Sequence, residues 1–169
     1  MIRPRAGGVL VHAAAIIPGK ACAPFGARVD EAVLLLGDSG NGKSNVALHL
    51  VAMGAQLLAD DQTALFAEAG RLFAEPPQGA QPWIEIRGIG IIRLPPGTPA
   101  PVAIAVHLTN DLPPRLPEPE AYRPAGVAIT APPPLYRLNG SDASTPVKIA
   151  ALAAALQAGS LLPPDGTVL

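Results

Sequence analysis

The chain has 169 residues, of which 49% are hydrophobic and 15% charged, and its net charge is −1. This composition predicts a globular domain with a sizeable core and excludes a disordered chain. It also argues against a nucleic-acid-binding protein, because such proteins usually carry a basic stripe. The single cysteine, Cys22, excludes an intrachain disulfide, and no apolar run predicts a membrane span. We therefore expect a cytoplasmic location.

Short apolar runs predict strands in the first third of the chain. The first strand is predicted over 8–17 (GVLVHAAAII) and the second over 32–36 (AVLLL). A helix is predicted over 44–53, with Gly54 as the residue that follows its end. The next apolar run, 55–61 (AQLLADD), predicts a strand with two carboxylates at its end.

Two further strands are predicted in the middle of the chain. In the run 83–87 (WIEIR), alternation places Trp83, Glu85 and Arg87 on one face and the two isoleucines on the other. The run 102–108 (VAIAVHL) is another strand candidate.

The character of the chain changes near residue 94, because 15 of its 21 prolines lie from Pro95 onward. We interpret residues 1–169 as one domain, with a core over about 8–94 and proline-rich loops, one or two strands and a final helix over 95–169. That helix is predicted to have Thr145 as its N-cap, Pro146 as its first residue and Gly159 after its end.

The segment GDSGNGKS matches the phosphate-loop pattern G-x-x-x-x-G-K-[ST]. Its glycines allow positive φ and close approach of a ligand, and the following helix N-terminus favours an anion. Lys43 would add a positive charge at the β- and γ-phosphates, and Ser44 a hydroxyl for magnesium. The predicted ligand is a nucleoside triphosphate or another polyphosphate, bound by Gly37, Asp38, Ser39, Gly40, Asn41, Gly42, Lys43 and Ser44.

Two pairs of polar residues have two interpretations each. Asp60 and Asp61 would lie near the γ-phosphate, where an aspartate could hold magnesium or accept a proton from an attacking hydroxyl; otherwise they form a solvated turn. Glu85 and Arg87 could contact magnesium and phosphate, or form a surface ion pair. His12 by itself is typical of a packed or solvated strand residue.

Taken together, the segments VLVHAAAI, LLLGDSGNGKSNVALHLVAMGAQLLADD and IEIRGIGII resemble the C-terminal catalytic domain of the HPr kinase/phosphorylase family. The resemblance is strong from about Val9 to Arg93. It implies an α/β fold: a phosphate-loop domain of the phosphoenolpyruvate carboxykinase-like type, strand-rich with a few helices. It also implies an ATP-dependent kinase for a serine of HPr, the phosphocarrier of the phosphotransferase system. Many members also remove the phosphate with inorganic phosphate, giving pyrophosphate, and members assemble as hexamers.

The resemblance also implies roles for individual residues. Lys43 would bind phosphate, and Ser44 and Glu85 would contact Mg²⁺. Asp61 would take the proton from the target serine and return it in the reverse reaction. His12 would be a catalytic residue near the phosphate. Arg87 would also lie near the phosphate.

The sequence departs from the family at several points. Asn45 stands where Glu is usual and Ala13 stands where Gly is usual. We expect this chain to be one of the short forms of the family, which lack the N-terminal domain. The basic segment linked to phosphate removal has Lys148 as its nearest equivalent, and Arg115 aligns loosely with a later arginine.

Three functions therefore remain open from the sequence. The first is a protein-serine kinase that phosphorylates HPr, with or without phosphorylase activity. The second is a small-molecule phosphotransferase that has retained the family site. The third is a nucleotide-sensing module without catalysis.

Overall fold

The computed structural model describes residues 1–162, which form a strand-rich α/β fold with two α-helices. The elements alternate between short strands and loops until the last helix. In chain order they are β1 (Val9–His12), β2 (Ala14–Ile17), a 3-10 helix (Lys20–Phe25), β3 (Ala32–Leu36), α1 (Lys43–Ala52), β4 (Gln56–Ala59), β5 (Gln62–Glu68), β6 (Arg71–Glu75), β7 (Trp83–Ile86), β8 (Gly90–Arg93), β9 (Ala100–Thr109), β10 (Glu120–Ala121), β11 (Pro134–Asn139) and α2 (Thr145–Ala158).

Nine of the strands form one sheet, in the order β1-β5-β6-β9-β3-β2-β4, with β11 also paired to β9 and β10 paired to β11. Strands β3, β9 and β11 are parallel. Strand β2 pairs antiparallel with both β3 and β4, so β4 runs in the same direction as β3. The carboxyl ends of β3, β4 and β9 therefore lie at one edge, where ligands of such sheets usually bind.

The core has two halves on opposite faces of the central strands. On one face, α1 and α2 pack on side chains such as Val33, Leu35 and Val106, and Ile84 of β7 joins them. On the other face lie residues such as Leu34 and residues of β5 and β6. Strand β7 pairs with β8 in a separate hairpin.

Most predicted elements are present, with three corrections. Residues 95–162 contain three strands, β9, β10 and β11, rather than one or two. The expected strand over 8–17 is two strands, because the chain breaks at Ala13: β1 pairs with β5, whereas β2 pairs with β3 and β4. The N-cap of α2 is Ser144 rather than Thr145. The Thr145 hydroxyl instead donates a hydrogen bond to the Asn139 carbonyl oxygen, 2.5 Å away.

The proline-rich part of the chain contributes more to the core than the sequence indicated. Strand β9 lies in the middle of the sheet, and its Ile104, Val106 and Leu108 are fully buried. Ile149 and Ala153 of α2 are buried against the same face. The core therefore draws on residues from both sides of position 94.

Candidate active site

The phosphate loop connects β3 to α1, as the sequence predicts, and α1 begins at Lys43. Two of its glycines have positive φ and little space for a side chain. A Cβ on Gly37 (φ +133°) would lie 2.5 Å from the Leu108 carbonyl oxygen, and one on Gly42 (φ +89°) would lie 2.5 Å from the Gly140 carbonyl oxygen. Only glycine combines that backbone with such close approach. The loop therefore packs against the ends of β9 and β11.

The amino group of Lys43 lies at the centre of the site. It donates hydrogen bonds to the carbonyl oxygens of Gly37, at 2.7 Å, and Asp38, at 3.0 Å. The residue is only 7% exposed, and this burial lowers the pKa of its ammonium group, while the carboxylates of Asp61, Asp38 and Asp60 oppose the shift. The ammonium group thus places a positive charge beside the loop, where it can meet the phosphates of a ligand.

His12 bridges Lys43 and Asp61. Its Nε2 lies 3.1 Å from Lys43 Nζ, and its Nδ1 lies 3.2 Å from Asp61 Oδ1. Because an ammonium group can only donate, Nε2 is the acceptor and Nδ1 carries the proton that is donated to Asp61. The three side chains form one polar chain from the phosphate loop to an accessible carboxylate, since the Asp61 side chain is 76% exposed.

The backbone explains how Asp60 and Asp61 have different partners although they are adjacent. The Gln62 N–H donates to the Asp60 carbonyl oxygen at 2.8 Å, and Asp61 between them has φ +69°. This is the pattern of a classic γ-turn, which is rare and strained. Gln62 is also the cross-strand neighbour of His12, so the pairing of β1 with β5 brings Asp61 to the imidazole.

Asp60 faces the helix instead. Ser44 Oγ donates a hydrogen bond to Asp60 Oδ1 at 2.8 Å. Burial raises the pKa of the Asp60 carboxyl group, and the hydrogen bond from Ser44 opposes that shift. The two carboxylates thus occupy distinct environments, one exposed beside His12 and one half-buried beside Ser44.

Ser44 and Asp60 are a suitable start for a magnesium site. Mg²⁺ is usually held by one or two carboxylates together with the phosphates of the substrate, so a large protein cluster is not required. Over residues 1–162, no group of three or more His, Cys, Asp or Glu side chains is arranged to hold a metal. The hydroxyl and carboxylate oxygens of this pair fit the ion and the phosphate ligand together.

Glu85 and Arg87 lie apart from these contacts. The alternation predicted for β7 is confirmed, because Ile84 is buried whereas Trp83 and Glu85 are exposed. Arg87 follows the end of the strand and is also exposed. In the part of the chain that the structure describes, neither Glu85 nor Arg87 forms a hydrogen bond or an ion pair with another side chain. Their roles toward metal and phosphate stay predictions.

Two contacts at the site escaped sequence reasoning. The buried hydroxyl of Thr63 donates to the Ala13 carbonyl oxygen at 2.8 Å and so holds the strand break directly after His12. The side chain of Asn110 donates to Asn41 Oδ1 at 3.1 Å. No local pattern in the sequence predicts either contact. The Asn139–Gly140 dipeptide, which signals a turn, is the only hint that the end of β11 approaches the loop.

Fold and site together define a phosphate-loop α/β domain with a pair of carboxylates at a neighbouring strand end. Residues 28–95 match the family model "HPr Serine kinase C-terminal domain". HPr kinase/phosphorylases of Streptococcus thermophilus and Enterococcus faecalis are each 49% identical over 61 residues, which is 36% of this chain and 20% of theirs. Over this segment the chain is similar to HPr kinase/phosphorylases, and the aligned segment spans about a fifth of the length of those relatives.

The fold agrees over nearly the whole chain. The HPr(Ser) kinase/phosphatase from Coxiella burnetii superposes with a TM-score of 0.67 at 23% identity, covering 89% of this chain and 92% of that one. At that identity the likeness concerns the fold. His12 precedes the matched residues 28–95. Among the described residues, neither helix has the length and apolarity needed to cross a membrane.

Proposed function

We propose that this domain is an ATP-dependent protein-serine kinase that phosphorylates a serine of an HPr-like phosphocarrier. The observation that carries the proposal is the polar chain from Lys43 through His12 to Asp61. It joins the phosphate loop to an exposed carboxylate, which is the group that a serine hydroxyl needs. Serine is a poor nucleophile at neutral pH and reacts when a base accepts its proton.

The environments of the two aspartates support a division of roles. Asp61 is accessible and accepts a hydrogen bond from His12, so it suits the base that a protein substrate must reach. Asp60 accepts a hydrogen bond from Ser44, so it suits the metal. Magnesium, when bound, neutralises charge on the phosphates. Glu85 would add a second metal contact, and Arg87 would contact phosphate.

In the proposed reaction, the serine oxygen attacks the γ-phosphorus of ATP, and the bond from that phosphorus to the β–γ bridging oxygen breaks. The serine proton passes to Asp61, and ADP leaves. In the reverse direction, inorganic phosphate attacks the phosphorus of phosphoserine, Asp61 returns the proton to the serine oxygen, and pyrophosphate leaves. Lys43 stabilises the charge that develops on the phosphates in both directions.

The test is incubation with γ-labelled ATP, Mg²⁺ and the HPr-like protein of the same organism, followed by identification of the labelled residue by mass spectrometry. We expect the wild-type protein to label a serine of the carrier. We expect no label on the carrier when the Lys43→Met variant is used instead. Binding of ATP by the wild type without any label on the carrier would contradict the proposed transfer.

Organisation and assembly belong to the same proposal. We propose that residues 1–169 act as one domain in the cytoplasm and that copies assemble as hexamers. Light scattering coupled to size-exclusion chromatography measures the mass of the assembly directly. A monomer at all concentrations would contradict the hexamer.

A further inference from the structure

Three asparagines from separate parts of the chain form a hydrogen-bonded series beside the phosphate loop. Asn41 lies in the loop, Asn110 follows β9, and Asn139 ends β11. Asn41 Nδ2 donates to the Leu108 carbonyl oxygen at 3.1 Å, and Asn110 Nδ2 donates to Asn41 Oδ1 at 3.1 Å. Asn139 Nδ2 donates to the Asn110 carbonyl oxygen at 3.2 Å. We call Asn41, Asn110 and Asn139 the asparagine series.

The chemistry of the contacts determines the orientation of the Asn41 amide. A carbonyl oxygen can only accept, so the NH₂ group of Asn41 must face Leu108. Its Oδ1 then faces Asn110, whose NH₂ group is the matching donor. Both ends of the Asn41 side chain are therefore used within the protein.

The series continues to the second helix. The Asn139 carbonyl oxygen accepts the hydrogen bond from the hydroxyl of Thr145, the fully buried first residue of α2. The Gly140 N–H donates to the Thr109 carbonyl oxygen at 2.9 Å, which ties the same turn to β9. The phosphate loop is thus connected through side chains to the end of β9 and to the start of α2.

This arrangement acts on the shape of the loop. The N–H groups of a phosphate loop bind an anion well only when they already point toward a common centre, because ordering them on binding costs free energy. The backbone of the loop is glycine-rich and intrinsically free, so side-chain contacts must supply part of its order. Asn41 is the loop side chain that makes such contacts with the end of β9.

We propose that Asn41 and Asn110 are positioning residues that hold the phosphate loop in its anion-binding shape, with Asn139 connecting them to α2. The inference takes only the identity of the ligand, a nucleoside triphosphate, from the proposed function. Loss of the Asn110–Asn41 hydrogen bond weakens nucleotide binding, whereas the chemistry at Asp61 is untouched. KM for ATP therefore rises while kcat changes little.

The test is a double-mutant cycle on ATP binding, measured by titration calorimetry with the non-hydrolysable analogue AMP-PNP and Mg²⁺. We expect Asn110→Ala to raise Kd by about 2- to 10-fold, the range of one hydrogen bond, and Asn41→Ala, which also loses the hydrogen bond to Leu108, to raise it at least as much. The Kd of the double variant should be no higher than that of the single variant with the higher Kd, because both single changes remove the Asn110–Asn41 hydrogen bond. Asn110→Asp, which keeps the shape but replaces the donor with a negatively charged acceptor beside the anion site, should raise Kd at least as much as Asn110→Ala.

Ser141→Ala is the matched control, since Ser141 is exposed beside Asn139 and its hydroxyl makes no hydrogen bond within residues 1–162. Its Kd should equal that of the wild type, and melting temperatures should show that every variant is folded. An unchanged Kd in Asn110→Ala, or a double variant whose effect is the product of the two single effects, would overturn the proposal. Protein transfer is not part of the experiment, so failure of the proposed kinase reaction would leave this result standing.

Discussion

Asp60 and Asp61 show how the backbone conformation of one residue can give two adjacent, identical side chains different partners. Asp61 occupies the left-handed region within a γ-turn, and its carboxylate meets His12, whereas Asp60 meets Ser44. Asparagine and aspartate tolerate that region better than most residues, although strain remains. In the proposed mechanism this strained turn separates the base from the metal contact.

His12 is expected to position Asp61 and to accept a hydrogen bond from Lys43. Replacing it with alanine removes a hydrogen bond to each charged neighbour. We predict that His12→Ala lowers kcat for serine phosphorylation by about 10- to 100-fold, the range for hydrogen bonds to charged groups. Steady-state kinetics with the carrier protein provides the measurement, and the Kd for ATP serves as the reference.

The control for His12 is His49, an exposed histidine of α1 whose ring forms a hydrogen bond only with the Asn45 carbonyl oxygen among the described residues. His49→Ala should leave kcat close to the wild-type value. If kcat were equal in the His12 and His49 variants, the contact between His12 and Asp61 would have no catalytic importance.

At the scale of elements, α1 owes its position to apolar packing rather than to charge. Leu50 is fully buried among the side chains between α1 and the sheet. We predict that Leu50→Ala lowers the free energy of unfolding by about 2–5 kcal/mol, because it removes buried methyl groups and leaves a cavity. Urea unfolding measures this change, and Val147→Ala, at an exposed position of α2, should alter stability by less than about 0.5 kcal/mol.

The loop before α2 contains an ion pair whose effect depends on pH. Lys148 Nζ donates to Asp142 Oδ2 at 2.6 Å, and the Ser144 N–H and hydroxyl both donate to Asp142 Oδ1. The hydrogen bond from Lys148, followed by those from Ser144, holds the pKa of the Asp142 carboxyl well below its usual range. Lys148, the nearest equivalent of the family's basic segment, is thus engaged in this pair.

A lowered carboxyl pKa in the folded state stabilises the protein above the pKa of the unfolded state, about 3.9 for aspartate. That contribution is lost as the pH falls through the folded value. We predict that Asp142→Asn lowers the melting temperature at pH 7 and that its difference from the wild type shrinks as the pH falls from about 5 to about 2. Glu118→Gln, at an exposed position without a partner among the described residues, should show no such trend; a constant difference for Asp142→Asn would contradict the assignment.

At the scale of the whole molecule, patterns in the sequence predicted the features that depend on a single short segment of the chain. The glycines and lysine of the phosphate loop, helix α1 and the carboxylates after β4 were all predicted correctly in position. Each depends on residues within one short segment. The break at Ala13 was missed because it arises from β1 and β2 pairing with different strands, far apart in the sequence.

The contacts that complete the site are long-range and leave no local signal. The approach of His12 to Asp61 depends on the register of β1 against β5, and that of Asn41 to Asn110 depends on β9 lying beside β3. A strand's composition shows that it is buried but does not show its neighbour. For the same reason the sequence did not indicate the central position of β9 in the sheet. The prolines around β9 also favoured its interpretation as part of a loop-rich region.

The central claim is that Asp61 is the base for phosphoryl transfer to serine. The most direct test measures transfer from ATP to the HPr-like carrier and binding of ATP on the same preparation of Asp61→Asn. We predict that the transfer rate falls by about 10²- to 10⁴-fold, the usual contribution of a general base, while Kd for ATP stays within about twofold of the wild type. Transfer at the wild-type rate with intact binding would contradict the claim.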